Sequence, residues 1–275
     1  MFRALGKNDP PKEIQVGDQM YRCAEVFKHD SWAATARYEK QDQRIVVKFN
    51  REQSICGLPM GWLGRWLASR ERHMLELLDD VEGVPNSCGD IVVAGKVRPT
   101  ADGHDFVDGR PLKIGDIPND QFLPKLLDLI HQMHARKMAY VDLHKAENVL
   151  VGDDGNPYVF DFQISAHLPS RWLKHLLLIL QQSDLYHLSR QVGFYRPDQF
   201  ADMFPDGLKR PWWIRAHRCI AMPFRETRRK LLVLLGIRKG KGYAKSEHAP
   251  EVGKRSMVDA SRLTKSTGPK ARLRS

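Results

Sequence analysis

YVDLHKAENVLVGDDGNPYVFDFQIS, residues 140–165, is the stretch whose reading decides the fold. Two apolar runs, 149–151 and 158–160, flank GDDGNP, whose Gly, Asp, Asn and Pro supply the left-handed and fixed-φ positions of a tight reversal. The pattern predicts a β-hairpin. Pairing Val151 with Tyr158 carries the register back through Leu150 with Val159 and Val149 with Phe160, which sets Asn148 beside Asp161 at the open end. Directly opposed side chains in such a ladder have Cβ atoms about 5 Å apart, so an amide oxygen and a carboxylate would converge where a hard cation such as Mg²⁺ could sit. Asp142, in the loop just before, adds a third oxygen.

Asp, then Asn, a short hairpin and a second Asp resembles the catalytic and metal-binding loops of the protein-kinase-like superfamily. YVDLHKAENVLV stands where HRDLxxxN is expected, and DFQ where DFG is expected. The resemblance implies that Asp142 orients the attacking hydroxyl and accepts its proton, and that Asn148 and Asp161 hold Mg²⁺. The chain departs from the pattern in three places. Tyr140 and Val141 replace His-Arg, so the Arg that couples to activation-loop phosphorylation is missing. Five residues separate Asp142 from Asn148 where the template has four, a bulge that leaves open whether His144 or Lys145 faces the γ-phosphate. The DLH part also resembles aminoglycoside phosphotransferases, and Lys145 is the better electrostatic choice. Gln163 takes the place of the DFG glycine and stiffens that turn.

Toward the N-terminus, residues 24–28, 33–39 and 44–49 read as three strands of a small antiparallel sheet, after about twenty loose residues. The third strand carries Lys48 among apolar neighbours. From 59 to 78, Leu63, Leu67, Met74 and Leu78 recur at the spacing of one helical face, and Glu71 falls on that stripe while Glu76 points away. A carboxylate on an apolar face needs a cationic partner to be buried, and Lys48 is the candidate. The pair resembles the Lys–Glu ion pair of a kinase small lobe, which implies that Lys48 holds the α- and β-phosphates. The phosphate-covering loop differs: KHDSWAAT, residues 28–35, has no glycine, and Lys28 would supply positive charge instead. Atypical branches such as RIO-like and lipopolysaccharide-core kinases share that departure. GVPNSCGDIVVAGKV contains one further strand, and HDFVDGRPL, 104–112, reads as the linker between lobes, where the resemblance puts adenine on the backbone of Phe106 and Val107.

Toward the C-terminus, Asp116 and Pro118 signal a helix running to about 136, with Phe122, Leu126, Ile130 and Met133 on one face. HQMH within it lacks the HExxH metal spacing. Residues 168–191 read as one or two apolar helices; there Asp184 is either an anchor for the catalytic loop or a solvated acid. From 209 to 237 basic residues alternate with bulky apolar ones, which fits a packed helix, then anionic lipid, then nucleic acid. The net charge of +11 is concentrated late: residues 207–275 hold 19 Lys plus Arg against 4 Asp plus Glu, a net of +15, leaving 25 against 29 elsewhere, a net of −4. Four scattered cysteines without metal-ligand spacing favour free thiols. The N-terminus has no apolar signal core and the longest apolar run is LLLIL, so the expected location is cytoplasmic, with peripheral contact to the inner membrane face through the basic region.

The expectation is an α+β, two-lobed kinase-like fold: an extension over 1–20, a small lobe over 21–108, a helical lobe over 109–237 and a disordered basic tail over 238–275. The implied activity is ATP- and Mg²⁺-dependent transfer of a phosphoryl group to a hydroxyl of a protein Ser/Thr or a lipopolysaccharide-type sugar. The rival reading is a pseudokinase, which binds nucleotide without catalysis.

Overall fold

In a computed structural model, residues 3–55, 57–113, 116, 118–205, 207 and 211 are described. All of the basic 209–237 stretch except Pro211, the 238–275 tail, Cys56 and Cys219 lie outside the described residues, and with them the lipid, nucleic-acid and disorder expectations.

The N-terminal part is a seven-stranded antiparallel sheet. Its strands are β1 (Glu13–Val16), β2 (Gln19–His29), β3 (Ala33–Lys40), β4 (Gln43–Asn50), β5 (Ile91–Val93), β6 (Lys96–Val97) and β7 (Ala101–Asp105), in the order β6-β5-β1-β2-β3-β4-β7. Strict alternation along β4 sends Ile45, Val47 and Phe49 into an apolar cluster with Ile14, Ala36, Tyr38 and Ala101. Val46, Lys48 and Asn50 therefore face the other way. The first twenty residues are not loose. Ile14 is buried in that cluster, β1 sits between β2 and β5, and Ala4 donates its N–H to the Asp30 carbonyl at 2.7 Å. Two apolar residues, Ile14 and Val16 in EIQV, give too short a signal to be read as a central strand. The one strand expected in GVPNSCGDIVVAGKV is a hairpin, β5 and β6, turning through Ala94 and Gly95 at positive φ.

Helix α1 (Gly61–Glu76) lies against β4 and β7. Its buried residues are Gly64, Ala68, Glu71, Met74 and Leu75, whereas Leu63 and Leu67 are only half-buried. The stripe is rotated toward small residues because the helix must come close to the sheet. A Cβ on Gly64 would collide with the Arg51 carbonyl. The far end of α1 supplies Met74 and Leu75 to a second, larger core.

That larger core belongs to the helical part. After β8 (Gly109–Pro111), α2 (Phe122–Ala135) buries Phe122, Leu126, Ile130 and Met133 as its periodicity predicts, with Leu123 and Leu129 beside them. Then follow β9 (Met138–Ala139), β10 (Val149–Gly152), β11 (Pro157–Val159) and β12 (Ala166–His167). Residues 168–191 prove to be mainly one helix, α3 (Lys174–Tyr195), after a single 3₁₀ turn, and a short α4 (Phe200–Met203) closes the described chain. The chain thus has the two-lobed, kinase-like α+β fold, with a β-rich small lobe carrying one helix and a mainly helical large lobe.

The hairpin register is one residue away from the expected one. Val149 pairs with Val159, Leu150 with Tyr158 and Val151 with Pro157. The loop is shorter than GDDGNP suggests: Gly152 N–H donates to the Asn156 carbonyl (2.9 Å), and Gly155 takes a left-handed φ of +78°. This is a three-residue loop with a left-handed glycine. The Asp154 carboxylate locks it, accepting from the Asn156 backbone (2.9 Å), the Asn156 amide (2.8 Å) and the Tyr158 hydroxyl (3.0 Å). Asn148 therefore faces the Phe160 backbone, whose N–H it accepts at 3.4 Å, rather than Asp161.

Candidate active site

Lys48 is where the two lobes meet. Its ammonium donates to Glu71 Oε2 at 3.2 Å and to Asp161 Oδ1 at 2.7 Å. Strand alternation points Lys48 off the sheet, and the α1 stripe brings Glu71 under it, 2% exposed. Burial alone would lower the Lys48 pKa, but the charges of Glu71, then Asp161 and Asp102, hold it above the ordinary lysine range. For Asp161 burial acts upward, and the Lys48 ammonium, then Lys145 and Lys28, override it and keep the carboxyl below the usual carboxylate range. Asp161 reaches this position through a left-handed backbone, φ +64°. The one-residue shift in register turns its side chain away from a directly opposed pair, and the left-handed residue swings it back toward Lys48.

The loop that carries Asp142 is built from irregular backbone held by buried polar groups. Asp142 N–H bonds to the Tyr140 carbonyl at 2.9 Å across Val141, which sits at φ +70°, the strained sense of a γ-turn. Asp184 is the anchor and not a solvated acid. It is fully buried on α3 and accepts from the Tyr140 N–H (2.7 Å), the Val141 N–H (2.8 Å) and His134 Nε2 (3.1 Å). Gln191, one helical face further on, donates to the Leu143 carbonyl at 2.5 Å. The extra residue between Asp142 and Asn148 is absorbed by an extended Lys145 followed by a 3₁₀ turn over Ala146–Asn148.

Around Asp142, 2% exposed, two donors meet at Oδ2, while Oδ1 has no hydrogen-bond partner among the described residues. Lys145 Nζ lies 2.6 Å from Oδ2, Asn148 Nδ2 donates to Oδ2 at 2.9 Å, and His144 Nδ1 lies 3.2 Å from Oδ1. Both His144 and Lys145 thus face Asp142, but Lys145 is the one whose charge is also felt at Asp161. His144 stacks toward His187 of α3, ring centroids 5.7 Å apart. Burial, with the nearby His144 and Arg190, pushes His187 down to about 4.

With its amide nitrogen on Asp142, Asn148 keeps its amide oxygen for a cation. That oxygen and the Asp161 carboxylate are hard donors suited to Mg²⁺, whose usual partners are one or two protein oxygens completed by phosphates and water. Among the described residues no cluster of three His, Cys, Asp or Glu side chains could hold a metal.

The remaining expected residues are placed less directly. Lys28 Nζ is bound to Asp30 Oδ2 at 2.8 Å, on the loop whose tip Asp30 also caps through the Trp32 and Ala33 N–H groups. Phe106 cannot offer its N–H to adenine, because that group donates to the Arg44 carbonyl at 3.0 Å as the sheet ends. Its ring is held by Phe27 (6.4 Å) and by the Arg37 and Arg44 guanidiniums (5.3 and 5.1 Å). The Phe106 carbonyl and both backbone groups of Val107 make no hydrogen bond among the described residues. Four polar groups were missed in the sequence: Asn50, Asp102, Gln191 and His187. Only Asn50 left a trace there, as a polar residue two positions after the lysine at the end of an apolar strand.

No protein-family model matches the sequence, and no curated protein matches it. Among solved structures, the chain is similar to the crystal structure of a Rio2 kinase–ADP/Mg²⁺–phosphoaspartate complex from Chaetomium thermophilum, with a TM-score of 0.47 and 14% identity. That match covers 62% of this chain and 54% of the other, so it spans about half the length of the kinase it matches.

Proposed function

We propose that this chain is an atypical, ATP-dependent phosphotransferase that moves the γ-phosphoryl of MgATP to an alcohol. The observation that carries the reading is the Lys48 ammonium, bound at 3.2 Å to Glu71 and 2.7 Å to Asp161, with Lys145, 2.6 Å from Asp142, near enough for its charge to be felt at Asp161. Lys48 would bind the α- and β-phosphates, and Lys28 would add charge from the covering loop. Asn148 and Asp161 would hold Mg²⁺. When bound, the ion would offset charge developing on the phosphates. Val107, with the Phe106 carbonyl, would meet adenine.

In the reaction the acceptor oxygen forms a bond to the γ-phosphorus, and the bond from that phosphorus to the bridging oxygen of ADP breaks. Asp142 orients the acceptor hydroxyl and takes its proton. The oxygen that would do so is Oδ1, buried and without a hydrogen-bond partner among the described residues. Lys145, between the Asp142 and Asp161 carboxylates, would offset charge on the moving phosphoryl group. The acceptor classes that fit are a protein Ser/Thr or a sugar hydroxyl on a lipopolysaccharide-type lipid, as in the RIO-like and lipopolysaccharide-core branches. Peripheral contact with anionic lipid through the basic region suits the second.

One observation favours a catalytically silent reading: Asp142 Oδ2 is already engaged by the Lys145 ammonium and the Asn148 amide. The deciding measurement is Mg²⁺-dependent ATP turnover and autophosphorylation of wild type beside Asp142→Ala, with nucleotide affinity measured in parallel. Turnover lost in the variant alone supports the enzyme. Equal inertness with retained ATP binding means a nucleotide-binding regulator, and absence of ATP binding in wild type removes both readings.

A further inference from the structure

A chain of three side chains runs from the turn after Asp161 to β7, on the face of the sheet that carries Lys48. Gln163 Nε2 donates to Asn50 Oδ1 at 2.7 Å, and Asn50 Nδ2 donates to Asp102 Oδ1 at 2.9 Å. Asn50 and Asp102 are each 1% exposed, whereas Gln163 is half-buried. Asn50 lies two residues after Lys48 on β4, on the same face, and Asp102 is the register partner of Lys48 across β4 and β7. The relay therefore ends at the buried ion pair. A glycine at 163 could not begin it, having no side chain to donate.

We propose that Gln163 is a positioning residue: through Asn50 and Asp102 it fastens the Asp161 turn to the small lobe, so that Asp161 is held against Lys48 without any ligand or modification. This rests on the phosphotransferase reading for its consequence and on geometry alone for its existence. Three features agree with it. The left-handed Asp161 needs outside support, because an isolated Asp rarely keeps φ near +64°. The same turn is tied a second time, since Arg70 of α1 donates to the Ser165 carbonyl and His73 of α1 meets His167 at 3.3 Å. The usual Arg beside the catalytic Asp is replaced by Val141, so control through a phosphorylated segment has no cation to act on there. Burial and the charge of Glu71 push the Asp102 pKa well above the usual carboxylate range.

The test uses the full chain with Gln163→Leu, Asn50→Leu and the double variant; Gln163→Gly is added because it introduces no bulk. Hydrogen exchange of the unliganded protein is read over 160–167. Each single variant at 163 is expected to speed exchange there about tenfold, and the double variant no more than Asn50→Leu alone, since both remove one coupled contact. In nucleotide binding, Gln163→Leu should weaken affinity for MgATP about tenfold while affinity for ATP in excess EDTA changes less than twofold. A general packing defect would lower both. Unchanged exchange in both Gln163 variants overturns the proposal, and so does an equal loss of affinity with and without Mg²⁺. If wild type binds no ATP, the phosphotransferase reading falls, and the exchange arm still decides the relay.

Discussion

Lys48 and Glu71 come to the cleft from regular structure: a β-strand whose period of two points the lysine off the sheet, and a helix whose small-residue stripe brings the glutamate beneath it. Asp142, Asn148 and Asp161 sit in backbone of the opposite kind, a γ-turn, a 3₁₀ turn and a left-handed residue. The regular side needs little beyond its own packing to place a side chain. The irregular side is held from outside, by Asp184 and Gln191 of α3, by Asn50 through Gln163, and by Lys48 itself. The difference teaches where each kind of damage will spread. Substitutions on the strand and helix should register as lost charge pairing, and those behind the loop as lost geometry.

The sharpest cut between the two is Asp142→Asn. It keeps the shape of the loop and removes the proton acceptor, so turnover should drop about 10³-fold while MgATP affinity stays within a few-fold. Steady-state ATP turnover beside equilibrium binding checks this, and a parallel collapse of affinity would mean that the carboxylate is structural. Next comes Lys48→Met, which leaves Glu71 and Asp161 facing each other without a counter-ion. With Asp161 partly exposed, the expected loss is about 2–3 kcal/mol at pH 7 by denaturant unfolding. The sign with pH follows from Asp161. Its folded pKa is depressed, so its contribution is present above the unfolded value of about 4 and lost as pH falls. Wild type and variant should therefore begin to converge only as pH falls below about 4, toward the depressed folded value.

Asp184→Asn tests the irregular side without touching the cleft. One of the two loop N–H groups loses its acceptor, and about 2 kcal/mol of stability should go, with faster hydrogen exchange over 138–145. If exchange there is unchanged, the loop is held by something else. Asp102→Asn should act the other way. Its folded pKa is raised, so wild type loses stability as pH climbs above about 4 and the variant does not. A thermal midpoint a few degrees higher at pH 8, with no difference at pH 4, is the expected result. The smallest effect belongs to Lys28→Ala, whose ion pair with Asp30 is exposed on the lysine side. Less than about 0.5 kcal/mol of stability should change, and a loss of MgATP affinity would assign Lys28 to the phosphates.

Much of this was legible in the chain. The periodicity of α2, the burial of Glu71 against the exposure of Glu76, and the order of Asp142, Asn148 and Asp161 all follow from residue spacing, because helices and strands repeat with fixed periods. The register of the 149–159 hairpin was not, since GDDGNP accommodates a longer loop or the three-residue loop that Asp154 locks. Neither was the choice between anchor and solvated acid for Asp184. That choice depends on α3 lying behind Tyr140, 44 residues away in sequence.

By itself, then, the sequence determined which elements carry the candidate residues and which face each takes, for local spacing dictates which way a side chain points. Only the tertiary structure decided how the catalytic turn is bent, why Asp161 is left-handed, and that Gln163 reaches Asn50. Those outcomes depend on hydrogen bonds between segments far apart in the chain, and a left-handed or γ-turn residue persists only when such distant partners repay its strain.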